Sequence, residues 1–299
     1  LQFIERPFLR QVKHKYSSPK AVIIFGLPRS GSTVTYQTIC HALQVNYLSN
    51  LWNIFYQLPL VGGFVSYYIS RSHRSNFRSQ YGFVSGLDGP AEGMKFWKWW
   101  LDCGLQDQDC HCLSPSLTKK RSEYLRRILI SLGSFTELPF ATGYLGHILV
   151  PDRVYQTFPE SVFIRVRRDP VLNALSILKS MQDGGYNWFS IKPDECRHLD
   201  SKSPHERVAS QVYWLNRRLD DADCALSMFS IEYEELCVDP EKQIKKLLAW
   251  CAANGLSISR KYALPATLEK KVADSRDDYD VKRIRAALMK LEIEFGKLK

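Results

Sequence analysis

The sequence predicts an α/β fold in which helices flank a parallel, phosphate-loop-type central sheet. Three observations carry this reading. A short β-branched apolar run, AVIIF at 21–25, ends in glycine and opens the Gly/Ser-rich turn GLPRSGST. Similar runs recur at 161–166 (SVFIRV) and 227–232, with helical patterns between them. The 299 residues, 45% apolar and 12% aromatic, supply enough buried surface for a sizeable core.

Each element follows in order. Residues 21–25 read as a buried parallel strand, because a continuous apolar run suits a sheet covered on both faces. The glycine turn leads into a helix at 33–43, and 94–103 and 121–132 are also predicted helical. A short strand is expected at 136–140 and a clear one at 161–166. Asp169 stands where an N-cap belongs and Pro170 at the first helical position, so a helix runs over 171–181. The Gly-Gly pair and proline make 183–199 a loop. A long helix is predicted at 203–223, a strand at 227–232, and helices at 240–253 and 281–295. No composition shift marks a boundary. The expectation is one domain over 1–299, with a helical insertion or lid at about 50–135.

The net charge of +10, from 41 basic and 31 acidic residues, suits an anionic partner. The basic residues are scattered and form no arm of the nucleic-acid-binding type, which argues against nucleic acid. Most of the eight cysteines sit among apolar neighbours, as reduced core cysteines do. The cluster Cys103, Cys110, His111 and Cys112 lacks a paired CxxC spacing, so no metal is expected there. The charged first residues carry no secretory pattern, and the reading is a cytoplasmic protein.

One stretch stands out. Between Arg29 and Arg71 there is no Asp, Glu, Lys or Arg. Its second half, 51–69, is long enough to suggest a membrane span, but Asn53, Gln57, Pro59, Gly62, Gly63 and Ser66 interrupt it. Core or lid helices are the favoured reading, with a membrane-surface or homodimer contact as the other.

The turn itself carries chemistry. Gly26 and Gly31 have the spacing of a Walker A loop, but Ser32 and Thr33 stand where that loop has Lys and Ser/Thr. Arg29 is the loop's only cation. Backbone N–H groups, the start of the next helix, the hydroxyls of Ser30, Ser32 and Thr33, and the Arg29 fork can all bind an anion. The lysine that reaches a γ-phosphate is gone, which argues against ATP chemistry. A second anion site is suggested by Arg168 at a strand end and Ser176 about two turns into the next helix.

Together these segments resemble the sulfotransferases that use 3′-phosphoadenosine-5′-phosphosulfate (PAPS). The first family loop, P-[K/R]-S-G-[T/S]-T, stands here as PRSGST, Pro28 to Thr33. The second, R-D-P with a serine eight residues after the Arg, stands as Arg168, Asp169, Pro170 and Ser176. TFPESVFIRVRRDP and FSIEYEELCVDPEKQIKKLLAWC are similar to two further family segments, so the resemblance spans about 20–251. It implies a sulfotransferase fold, PAPS as donor, 3′-phosphoadenosine 5′-phosphate (PAP) as product, and no metal. It implies that Pro28–Thr33 holds the 5′-phosphosulfate, and that Arg168 and Ser176 hold the 3′-phosphate. An R-K-G-x-x-G segment is missing, which places the chain outside the cytosolic animal branch. Arg276, Arg165 and Arg167 are candidates to complete the phosphate site.

The acceptor is expected to be a hydroxyl or amine of a small molecule, natural products included. Its base is sought about sixty residues past the loop, where relatives carry theirs. Glu92 is the first choice, with Asp88 and His147 as alternatives. Partial burial among Phe96, Trp97 and Trp99 would bring such a carboxyl near neutrality. Trp214 is a candidate adenine platform. The rival classes are a P-loop kinase or nucleotidase, and a non-enzymatic membrane-associated binding protein.

Overall fold

The computed structural model describes residue 5 and residues 18–80, 82–101, 119–270 and 278–298; of 99–101 and 119–120 only the backbone is described. In chain order the elements are β1 (Ala21–Gly26), α1 (Ser32–Ala42), β2 (Asn46–Tyr47), α2 (Asn50–Ile54), α3 (Pro59–Ser70), α4 (Met94–Leu101) and α5 (Lys119–Thr136). Then follow β3 (Phe140–Thr142), α6 (Pro151–Thr157), β4 (Val162–Arg167), α7 (Pro170–Gly184), α8 (Pro204–Asp220), β5 (Met228–Glu232), α9 (Tyr233–Val238), α10 (Pro240–Ala253) and α11 (Asp278–Phe295).

The strands form one sheet in the order β2-β3-β1-β4-β5, with every pairing parallel. Alternate residues of β1 feed two cores. Ala21, Ile23 and Phe25 pack with residues of α7 and α8, whereas Val22 and Ile24 pack with residues of α1 and α10. Both faces are therefore covered, which is why β1 is apolar without alternation.

Three of the main helices start on a side-chain cap, the one at Asp169 as expected. Asp169 accepts from the N–H groups of Val171 and Leu172, with Pro170 at the first position. Ser203 and Glu206 form a reciprocal capping box at α8. Asp239 caps α10, accepting from Lys242 N.

One expectation shifts. The strand expected at 136–140 begins only at Phe140, because Thr136 is still the last residue of α5. Thr136 Oγ1 donates back to Leu132 O at 2.9 Å, within the last turn of α5. The uncharged stretch folds as α2 and α3. Trp52 is buried, and Gly62 and Gly63 let α3 lie directly on its ring. Val61, Val65 and Tyr68 face outward. Among the described residues no helix is long and apolar enough to cross a membrane.

Cys40, Cys196, Cys224, Cys237 and Cys251 are free and buried. Cys103, Cys110 and Cys112 lie outside the described residues.

Candidate active site

Register brings the functional segments together. Gly26 of β1 pairs with Val166 of β4, and Arg167 of β4 with Glu232 of β5. Three neighbouring strands thus end level, and the residues just after them leave at one carboxyl edge. Open α/β sheets bind ligands at that edge.

The loop after β1 is held by its own backbone and by α7. Ser30 Oγ donates to Leu27 O at 2.8 Å, and Asn173 Nδ2 donates to Pro28 O at 2.7 Å. Arg168 Nη1 donates to Arg29 O at 2.7 Å, and Arg29 Nε donates to Ser176 Oγ at 3.2 Å. Arg29 adopts φ +63°, a left-handed conformation unusual for a non-glycine residue. Strain of this kind is held only where surrounding contacts enforce it.

Gly31, at φ +94°, is the N-cap of α1. A Cβ there would overlap the ring of Tyr233, which follows β5. Arg168 lies over the other part of this assembly, 4.9 Å from the Tyr233 ring centroid. No side chain caps α1, and no acidic residue stands in its first turn. Its first N–H groups therefore keep their hydrogen-bonding capacity and partial positive charge. This contrasts with the side-chain caps of α7, α8 and α10.

A cavity of ≈ 970 Å³ opens on this loop. Pro28, Arg29, Gly31, Ser32, Thr33, Arg168 and Tyr233 form one part of its lining. Asn50, Asn53, Phe77, Phe83 and Glu92 form a second wall, and Tyr186, Trp188 and Phe189 a third.

Glu92 is partly exposed and lines this cavity. Burial pushes its carboxyl up to about 8, against a lowering interaction with the Thr33 hydroxyl. Gly82, at φ +88°, leaves the room: a Cβ there would lie 3.1 Å from Glu92 Oε1 and 3.7 Å from Thr33 Oγ1. Phe96 and Trp97 are buried beside this segment, while the Trp99 side chain lies outside the described ones.

The other predicted residues stand elsewhere. Asp88 accepts from His73 Nδ1 at 2.8 Å and does not line the cavity. His147 is buried between the rings of Trp97 and Tyr144, and burial lowers its imidazole to about 3. Neither of its ring nitrogens has a hydrogen-bond partner among the described residues. Trp214 packs on Phe295 of α11, with centroids 4.9 Å apart, away from the cavity. Ser30 is fully buried and shapes the loop instead of lining the cavity. Arg165 pairs with Asp220 at 2.6 Å beneath the sheet edge, and Arg167 lies 4.0 Å from the same carboxylate. Arg276 lies outside the described residues. Among the described residues no three His, Cys, Asp or Glu side chains cluster as a metal site would require.

Sequence reasoning missed Tyr233, Asn173 and the aromatic loop residues. The end of β5 was visible as a strand end, so its level with Arg168 was the available signal for Tyr233. Asn173 and Trp188 carry no signal before the tertiary structure is known.

The fold and loop define an α/β protein with an anion-binding phosphate loop at its sheet edge. The chain belongs to the sulfotransferase family, whose model matches residues 19–256, and it is a transferase enzyme. Two solved structures are similar in fold. The sulfotransferase STF9 from Mycobacterium avium matches with TM-score 0.52 and 14% identity, over 99% of this chain and 72% of that one. STF1 from Mycobacterium tuberculosis H37Rv matches with TM-score 0.51 and 14% identity, over 96% and 74%. No curated protein sequence matches.

Proposed function

We propose that this chain transfers a sulfuryl group from PAPS to a hydroxyl or amine of a small-molecule acceptor. The observation that carries this reading is the uncapped start of α1, flanked by Arg29 and Arg168, at the mouth of a large cavity. Uncapped N–H groups beside two guanidinium groups fit a doubly phosphorylated nucleotide.

When bound, PAPS supplies an electrophilic sulfur joined to a phosphate leaving group. The N–H groups of Ser32 and Thr33, with the Thr33 hydroxyl, hold the 5′-phosphate. Arg168 and Ser176 hold the 3′-phosphate. Arg29 leaves the Ser176 hydroxyl and neutralises charge developing on the bridging oxygen, the main electrostatic demand of such a transfer. Tyr233, packed on Gly31 and Arg168, fixes the loop and offers its ring edge to the nucleotide. Glu92, facing the cavity beside Thr33, takes the acceptor proton. A carboxyl near 8 is mostly protonated at neutral pH, but its minor base form is stronger than an ordinary carboxylate. The wall at 50–93, part of the insertion at 50–135, closes the acceptor side.

The test is incubation with PAPS and a panel of hydroxyl and amine acceptors, followed by mass spectrometry. Stoichiometric PAP and sulfated product support the reading. Slow hydrolysis of PAPS with no acceptor modified, across a broad panel, speaks against it.

A further inference from the structure

The outward face of α3 is apolar where a solvent-facing helix is ordinarily polar. Val61, Val65 and Tyr68 recur at helical spacing and form one exposed stripe. The inward side carries small residues. Gly62 and Gly63 lie against the Trp52 ring, and Ser66 Oγ donates to Ser49 Oγ at 2.8 Å. The helix thus buries glycine and serine and exposes valine and tyrosine. Phe135, at the end of α5, extends the stripe, with its ring 6.5 Å from that of Tyr68.

This face continues to the cavity. Phe55, just past α2, packs on α3, since a Cβ at Gly62 would lie 2.9 Å from Phe55 Cβ. Ile54, 58% exposed, is one turn beyond Leu51, whose N–H donates to Leu87 O at 2.9 Å. Asn50 Nδ2 donates to Val84 O and Gly86 O, both at 2.7 Å, so the segment from Phe83 to Leu87 is held beside α2. Phe83 and Met94 line the cavity, yet they are 64% and 46% exposed, which puts both on its rim.

The charges around this face are mostly of one sign. No Asp, Glu, Lys or Arg occurs from 30 to 70, so α2, α3 and the turn between them carry no ionic side chain. Exposed cations border them: Arg71 and Arg74 directly after α3, and Lys95 beside Met94. Of the acidic neighbours, Glu5 is buried on the N–H groups of Leu60 and Val61, Asp88 accepts from His73, and Glu92 lines the cavity. Glu137 stands exposed beyond Phe135. An apolar patch bordered by cations suits the interface of a bilayer with anionic headgroups. A second copy fits less well. It would set the same cation-bordered face against itself, on a chain of net charge +10.

We propose that the α2–α3 face docks this protein on an anionic lipid bilayer, with the rim of the cavity against the lipid surface. This goes beyond the reading of the preceding section and does not depend on it.

The test is co-sedimentation of the full chain with vesicles of phosphatidylcholine alone and of phosphatidylcholine mixed with phosphatidylserine. Binding to the mixed vesicles should be at least about tenfold stronger and should weaken as salt is added. Val65→Glu with Tyr68→Glu should abolish it without lowering the melting temperature, because both side chains are exposed. Val65→Ser with Tyr68→Ser carries the same expectation should the first pair fail to fold. Leu226→Glu, at a fully exposed side chain outside this face, should bind as wild type does. Arg71→Glu with Lys95→Glu should remove the preference for phosphatidylserine. Absence of wild-type binding to the mixed vesicles overturns the proposal, as does binding that survives both Val65 and Tyr68 pairs. A wild-type dimer that those pairs dissociate, with no vesicle binding, also overturns it by assigning the face to a second copy.

Discussion

Arg29 Nε donates to Ser176 Oγ at 3.2 Å, across 147 residues of sequence. The cation of the first loop therefore rests on the hydroxyl of the second motif. Arg168 closes the circuit by donating to Arg29 O at 2.7 Å. The two motifs form one electrostatic unit, because β1 and β4 are adjacent and end level.

Ser176→Ala removes an acceptor of the Arg29 hydrogen bond and a proposed donor to the 3′-phosphate. A hydrogen bond involving a charged group contributes about 1.5–3 kcal/mol. PAP affinity should fall by about 10- to 100-fold, measured by calorimetry. An unchanged affinity would remove Ser176 from the nucleotide site.

Arg29→Ala should lower kcat by about 10²–10³ or more while the chain stays folded. Arg29→Gly should be as inactive yet melt higher than Arg29→Ala, because glycine accepts φ +63° without strain. Thermal melts and initial rates of the two variants check both statements. Near-normal turnover in either would take the loop cation out of the mechanism.

Glu92 gives a pH signature. Its carboxyl is raised to about 8 in the folded chain, chiefly by burial, above the ordinary value of 4.5. The base form accumulates as pH rises, so kcat/KM should climb to a plateau with an apparent pKa near 8. The stability sign is opposite. The folded state holds a proton that the unfolded state has lost between 4.5 and 8, so stability falls as pH rises through that window. Glu92→Gln should be inactive, melt higher than wild type at pH 8, and converge with it near pH 4.5. A kcat/KM that is flat from pH 6 to 9 would exclude Glu92 as the base.

Gly31→Ala places a Cβ into the Tyr233 ring and imposes φ +94° on alanine. Destabilisation of about 2 kcal/mol or more is expected, with loss of PAP binding. Tyr233→Ala in the same background should not restore binding, since the backbone strain remains. Chemical denaturation and calorimetry read the two effects separately.

The sheet and its caps were legible because local rules fixed them. Residues 21–25 are apolar on both faces, and Asp169 caps its helix as its residue type dictates. Thr136 misled because its side chain bonds within a helix. In the site, the loop and Arg168 were singled out by their likeness to two sulfotransferase motifs, and Glu92 by where relatives carry their base; the structure brings all three to one cavity. Asp88, His147 and Trp214 were equally reasonable by residue type. Only tertiary contacts send them to His73, to Trp97 and Tyr144, and to Phe295.

The most direct measurement compares PAP with magnesium-ATP by calorimetric titration of the wild-type chain. Micromolar PAP binding that needs no divalent cation, with magnesium-ATP at least 100-fold weaker, is the predicted result. Equal or tighter binding of magnesium-ATP, or no binding of PAP, would contradict the two-phosphate grip on which the function rests.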